Sequence, residues 1–314
     1  MNAKKANHNI RHLRVHSVLY GNDPERIEQT VAHLNRAADL AISGGAAASV
    51  SLTYGDSSPS PVLSSDFLDR VRANSPALRS VDYVHFDGNL GSAKGHNTLI
   101  DDAESKAREG VELDAILIMN PDVMLAPDTL IELLRPTSNP RVGMVEARQL
   151  PIEHPKEYDR SSGETSWATT ACALIPIKVL RELNGFDNES FFLYCDDVDF
   201  SWRARLAGYQ VIYQPSAVVF HDKRLSKNGQ WAPTASEQYY SAEAALIMAH
   251  KYSRPDIAEK LFKSFSESDT PHLKRAAAEY AERKASNRLP TPIDPEGRVA
   301  EFLGDHYTKH RYAL

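Results

Sequence analysis

The sequence predicts an α/β protein, with a mainly parallel sheet, helices on both of its faces and a helical C-terminal extension. Three observations carry this. Over residues 13–147, short apolar runs alternate with helix-period stretches. Each strand-like run ends in polar turn residues, as "YGNDP", "YGDSS" and "MNPD" do. Beyond residue 223 the texture changes to amphipathic helix alone. The reading therefore divides the chain into 1–222 and 223–314.

"LRVHSVLY" (13–20) reads as the first strand. The helix after it starts with Asp23 as N-cap and Pro24 in its first turn. Ile27, Val31, Leu34 and Ala38 recur at helical spacing, and Gly44 or Gly45 stops the helix. "ASVSLTY" (48–54) alternates like a strand and runs into "GDSSPSP". "VDYVHF" (81–86) is a third strand, and after "DGNLGSAKG" a helix continues to about Arg108. "DAILIMN" (114–120) is a strong fourth strand, ending at "NPD". "APDTLIELL" opens another helix, "RVGMVEA" (141–147) another strand, and 196–206 a helix behind an aromatic run. Three helices, 236–252, 255–265 and 272–285, precede the loop-like "NRLPTPIDPEGR". Sheets of this kind bind ligands at the carboxyl ends of their strands, where the polar clusters fall.

The chain has 314 residues, 42% hydrophobic and 25% charged, the composition of a globular protein. A net charge of -6 argues against a nucleic-acid partner. Cys172 and Cys195 are the only cysteines, so neither a disulfide framework nor a Cys-rich zinc site is expected. The N-terminus lacks the apolar stretch of a secretory signal, and no run approaches the roughly 18 apolar residues of a membrane span. The expected location is cytoplasmic, with peripheral contact at the inner face of the membrane left open.

Several motifs carry chemistry beside plainer readings. Asp122 in "NPDV" closes a turn or offers an oxygen to Mg²⁺ or Mn²⁺. "GNLGSAKGHN" (88–97) is neither G-x-G-x-x-G nor a P-loop, which disfavours a dehydrogenase or P-loop kinase. Its Lys94 is a solvated lysine or a charge for a diphosphate. In "FFLYCDDVDF", Asp196 and Asp199 suit the first turn of a helix, while an acid at a pocket wall suits a general base. Arg203 and Arg205 downstream offset the charge. His221 after "SAVVF" is structural, or a metal ligand if it converges with Asp122. Trp167 is core, or a platform for a sugar face.

Taken together, "SVLYGNDPERIEQTVAHL", "GNLGSAKGHN", "ILIMNPDV" and the fifty residues "ACALIPIKV…SAVVFH" resemble the family 2 glycosyltransferases, especially their bacterial rhamnosyltransferase-like branch. The resemblance spans roughly residues 13–221. It implies a GT-A fold and a metal-dependent, inverting transfer of a sugar, rhamnose from a dTDP donor first and UDP-sugars next, to a glycan or lipid-linked glycan acceptor. It also implies roles. Asp197 is the catalytic base. Asp122 and His221 hold the metal, with Asn120 standing where the family has a first acid. Tyr20, Asp56, Asn89, Gly91, Lys94 and Asn120 fall on the donor side, with Gly55 at the usual base-contacting position and Asp56 beside it. Trp167 and Asp196 fall on the acceptor side. A sugar nucleotidylyltransferase is the first alternative, although "YGNDPERIEQ" lacks the glycine- and arginine-rich loop expected there. A non-catalytic nucleotide-sugar-binding domain is the second. The C-terminal helices read as a solvated cap, with a homodimer contact or a membrane-docking surface as alternatives.

Overall fold

The computed structural model describes residues 10–153, 155–222 and 233–308. The N-terminal lysines and the 222/223 junction of the two expected domains adjoin or lie outside them.

An eight-stranded sheet in the order β3-β2-β1-β4-β7-β6-β8-β5 forms the middle layer. β1 (His12–Leu19), β2 (Ser49–Asp56), β3 (Val81–His85) and β4 (Ala115–Met119) run parallel. β6 (Val142–Leu150) and β8 (Gln210–His221) are parallel to each other, while β7 (Cys172–Pro176) and the three-residue β5 (Val123–Leu125) enter antiparallel. The sheet is mixed and mostly parallel, as expected.

β4 shows why both faces are covered. Ala115, Leu117 and Met119 join one core with α1 (Pro24–Ser43), α2 (Ser65–Ala73) and α4 (Thr129–Leu134). Ile116 and Ile118 point the other way, into a core shared with α3 (Gly91–Arg108), α5 (Ile177–Leu183) and α6 (Asp196–Leu206). The period-2 alternation of an all-apolar strand thus feeds two layers. Asp23 caps α1 as its sequence predicts, accepting from the Glu25 N–H at 3.0 Å. β2 runs two residues further than its alternation suggested, because Val18 and Leu19 of β1 pair with Gly55 and Asp56.

α7 (Ala235–Lys251), α8 (Pro255–Glu267) and α9 (Pro271–Ala285) pack on one another in a core of their own. A further apolar cluster joins α7 to the acid-bearing α6: Val198 and Trp202 meet Ala244, Ile247, Met248 and Tyr252. No helix among the described residues is long and apolar enough to cross a membrane.

Candidate active site

The strand ends form a hydrogen-bonded platform. Asp56, the last residue of β2, is fully buried and accepts from the N–H groups of Ser58 (2.8 Å) and Val62 (2.9 Å) and from the Tyr83 hydroxyl. Burial alone would raise its pKa, but the donors from Ser58, Tyr83 and Val62 hold it below the usual carboxylate range. Asp56 thus spends its oxygens folding the 57–62 loop. That loop ties the neighbouring strand ends together: the Gly21 N–H donates to Ser58 Oγ at 2.8 Å, and the Leu90 N–H to Ser57 Oγ at 3.3 Å. Tyr20 stands exposed on this platform, as do Asn89 and Lys94.

Gly91 serves a close approach. Its φ is +69°, and a Cβ there would lie 2.3 Å from the Phe192 carbonyl oxygen. The contact lets the Ser92 N–H donate to that carbonyl at 2.9 Å, and Ser92 Oγ donate to Asp196 at 2.8 Å. Ser92 therefore links the platform to the acid segment. Asn97 performs a similar task one turn on, gripping Phe186 through its N–H and carbonyl at 2.9 and 2.8 Å.

The three acids of α6 separate cleanly. Asp199 is fully buried and structural: Arg203 reaches it at 2.8 Å, Lys251 at 2.5 Å and the Tyr252 hydroxyl at 3.0 Å. Arg205 turns away, to Glu301 and the Val299 carbonyl, so only Arg203 offsets the cluster as its sequence position suggested. Asp196 and Asp197 face a cavity of about 290 Å³ instead. They are delivered by Tyr194 and Cys195, two successive non-glycine residues at φ +69° and +59°. Such backbone costs on the order of 1–3 kcal/mol per residue and persists where surrounding contacts enforce it. Here the Tyr194 hydroxyl is fixed by Glu237 at 2.8 Å.

Burial raises both carboxyls. Asp196 also feels the charge of Asp197, against a hydrogen bond from Ser92, and is pushed up to about 7. Asp197 is raised by burial too, but the N–H groups of Val198 (2.8 Å) and Thr170 (3.3 Å), together with the Lys156 charge, favour its ionised form. Adjacent carboxyls in unequal surroundings can divide the labour of holding and taking a proton.

Asp122 and His221 line the same cavity. The short β5 exists because β8 pairs with it, setting Val123 opposite His221. His221 Nε2 comes within 3.3 Å of Asp122 Oδ1, and its Nδ1 lies 2.8 Å from Gln149 Oε1. Because the amide oxygen only accepts, Nδ1 carries a proton, and Nε2 is the ring nitrogen turned towards the carboxylate. An imidazole nitrogen and a carboxylate oxygen this close are a donor set that fits a cation. Among the described residues no group of three or more His, Cys, Asp or Glu side chains could hold a metal, so an ion there would need further oxygens from elsewhere.

Asn120, Asp122, Trp167, Asp196, Asp197 and His221 thus line one cavity, while Tyr20, Asp56, Asn89, Gly91 and Lys94 belong to the neighbouring platform. Trp167 is buried, with Tyr307 edge-on at 5.2 Å, so it is both core and cavity wall. Sequence reasoning missed Ser92, Gln149, Glu153, Thr170, Glu237 and Tyr307. For Glu237 a signal existed: Thr234 and Glu237 form a capping box, the T-x-x-E pattern of a helix start.

Comparison with known proteins places this geometry. No family model matches the chain. It is 24% identical over 202 residues to the rhamnosyltransferase WbbL of Escherichia coli K12, covering 53% of this chain and 75% of that protein. It is 27% identical over 149 residues to the N-acetylglucosaminyl-diphospho-decaprenol L-rhamnosyltransferase of Mycobacterium tuberculosis, covering 36% of this chain and 48% of that protein. The chain is thus similar, over part of its length, to curated rhamnosyltransferases. Its match spans about half the length of the mycobacterial relative. A crystal structure of GalNAc-T7 with UDP, GalNAc and Mn²⁺ superimposes with a TM-score of 0.60 at 12% identity, covering 90% of this chain and 60% of that one. The chain therefore has the fold of that glycosyltransferase, the GT-A fold expected from the sequence motifs.

Proposed function

We propose that the protein transfers a sugar, with inversion, from a nucleoside-diphosphate donor to a hydroxyl of a glycan acceptor, and that the sugar is rhamnose carried on dTDP. One observation carries this reading: a single cavity is lined both by two carboxyls with raised pKa values and by an Asp–His pair suited to a cation.

In this mechanism Asp197 accepts the proton of the acceptor hydroxyl. The acceptor oxygen bonds to the anomeric carbon as the bond from that carbon to the phosphate oxygen breaks, and the electron pair leaves with the nucleoside diphosphate. Asp122 and His221 would hold Mg²⁺ or Mn²⁺, which as a Lewis acid neutralises charge on a leaving diphosphate. Gln149 fixes the His221 ring, and Asn120 sits beside Asp122 without adding charge. The donor's nucleoside side lies over the platform of Tyr20, Asn89, Gly91 and Lys94, with Asp56 acting through the loop it folds. On the other side Trp167, Asp196, Glu237 and Tyr307 form the acceptor wall. A lipid-linked acceptor is favoured because the mycobacterial relative is named for a decaprenol-linked one.

A thermal-shift panel of dTDP, UDP, GDP, CDP and NAD, each with and without Mn²⁺ or Mg²⁺, tests the donor. A ligand at a hundredfold excess over its Kd stabilises by roughly 2.7 kcal/mol. A metal-dependent shift with one diphosphate supports the reading and names the base; a shift with NAD alone refutes it. Asp197→Asn should abolish transfer and leave that shift intact, whereas retained turnover would remove Asp197 as the base.

A further inference from the structure

Lys156 lies in the loop after β6, its side chain only 3% exposed. A lysine so enclosed needs partners. Its ammonium lies 2.9 Å from Glu146 Oε2, donates to the Trp167 carbonyl at 3.1 Å and sits 3.3 Å from the centre of the Trp167 ring. Glu146 projects from β6 and is fully buried. Its carboxyl is pushed up to about 7 by burial, against the attraction of Lys156. Ion pairs this deep often stabilise a fold no better than apolar side chains of the same shape. The charge therefore calls for a use beyond the pair.

Its surroundings supply one. Residues 167–170 form a strip gripped from both sides. Lys156 holds the Trp167 end through carbonyl and ring, and Asp197 holds the other end through the Thr170 N–H at 3.3 Å. We propose that Lys156 is a positioning residue for the transfer: it fixes the 167–170 strip, and with it the Thr170 N–H that donates to Asp197. This rests on Asp197 being the base. Asp196 is the other titratable group beside Asp197, on the same helix, and Asp122, Glu153, His221 and Glu237 line the same cavity from other elements. Lys156 opposes the effect of burial on Asp197, so it enlarges the fraction of base ready to accept a proton near neutrality.

The test is the pH profile of kcat/KM for hydrolysis of dTDP-rhamnose by the full chain, with water as acceptor. Lys156→Met should move the acid limb upward by about one pH unit, a roughly tenfold loss below the limb that recovers above it. The double variant Lys156→Met/Glu146→Gln removes both charges without leaving a lone buried carboxylate, and should show the same displacement. Glu146→Gln alone keeps the lysine charge and, because the Glu146 carboxyl is already pushed up to about 7, should leave the acid limb close to the wild type. A limb that coincides with the wild type in the double variant, or one that moves as far in Glu146→Gln as in Lys156→Met, would overturn the proposal. Turnover by Asp197→Asn would instead overturn the base reading on which it rests, so the two failures are distinguishable.

Discussion

Asp196→Asn should make the protein more stable as pH rises, at the expense of its chemistry. Asp196 is buried, with Ser92 Oγ as its donor at 2.8 Å. Burial and the neighbouring Asp197 push its carboxyl from 3.8 to about 7. The sign follows from proton binding. Between pH 3.8 and about 7 the folded chain holds a proton there that the unfolded chain has released, so stability falls as pH rises through this window. Each unit is worth about 1.4 kcal/mol, so from pH 5 to pH 7 the group costs the wild type about 2.7 kcal/mol. Asparagine keeps the shape and still accepts from Ser92, but does not titrate. Urea melts of both proteins at pH 5 and pH 8 should therefore show a stability gain for the variant that is larger at pH 8 by about that amount. The Glu146 carboxyl, also near 7, contributes equally to both proteins and cancels. An equal gain at both pH values would refute the reasoning, because it would mean that Asp196 is ionised throughout.

Gly91→Ala should cost at least about 2 kcal/mol in the same melts, since its Cβ meets the Phe192 carbonyl at 2.3 Å in a left-handed backbone; Gly88→Ala, with open space around it, should be near neutral. Lys251→Met should destabilise by about 3–5 kcal/mol, because Asp199 stays fully buried with one cation fewer. Gln149→Leu removes the acceptor that orients His221, and should weaken Mn²⁺ binding in the presence of dTDP by roughly 10–100-fold by calorimetry.

The long periodic elements were readable before the structure. α1 has its cap, its apolar stripe and its glycine stop written locally, and β4 is apolar throughout. A helix start at 196–206 is one plain reading of the acid cluster, and α6 spans Asp196–Leu206. What was hidden depends on partners far along the chain. β5 is three residues long and takes strand form because β8 lies beside it. β7 reads as an apolar run whose antiparallel direction is set by β4 and β6. No local pattern shows that Asp199 is neutralised by Lys251, or that "YC" before the acids adopts left-handed backbone. Asp56 was legible as an acid at a strand end, but its three donors come from a loop and from β3.

The contact of α7 with α6 also bears on synthesis. Asp199 on α6 is neutralised in part by Lys251, and Tyr252 covers it from the next turn of chain. A nascent chain that has emerged through α6 alone therefore carries a carboxylate destined for the interior with one of its two cations still inside the ribosome. Tyr194, the residue leading into the acids, likewise waits for Glu237. The wall that carries Asp196 and Asp197 can therefore close only once α7 has emerged to supply Glu237 and Lys251.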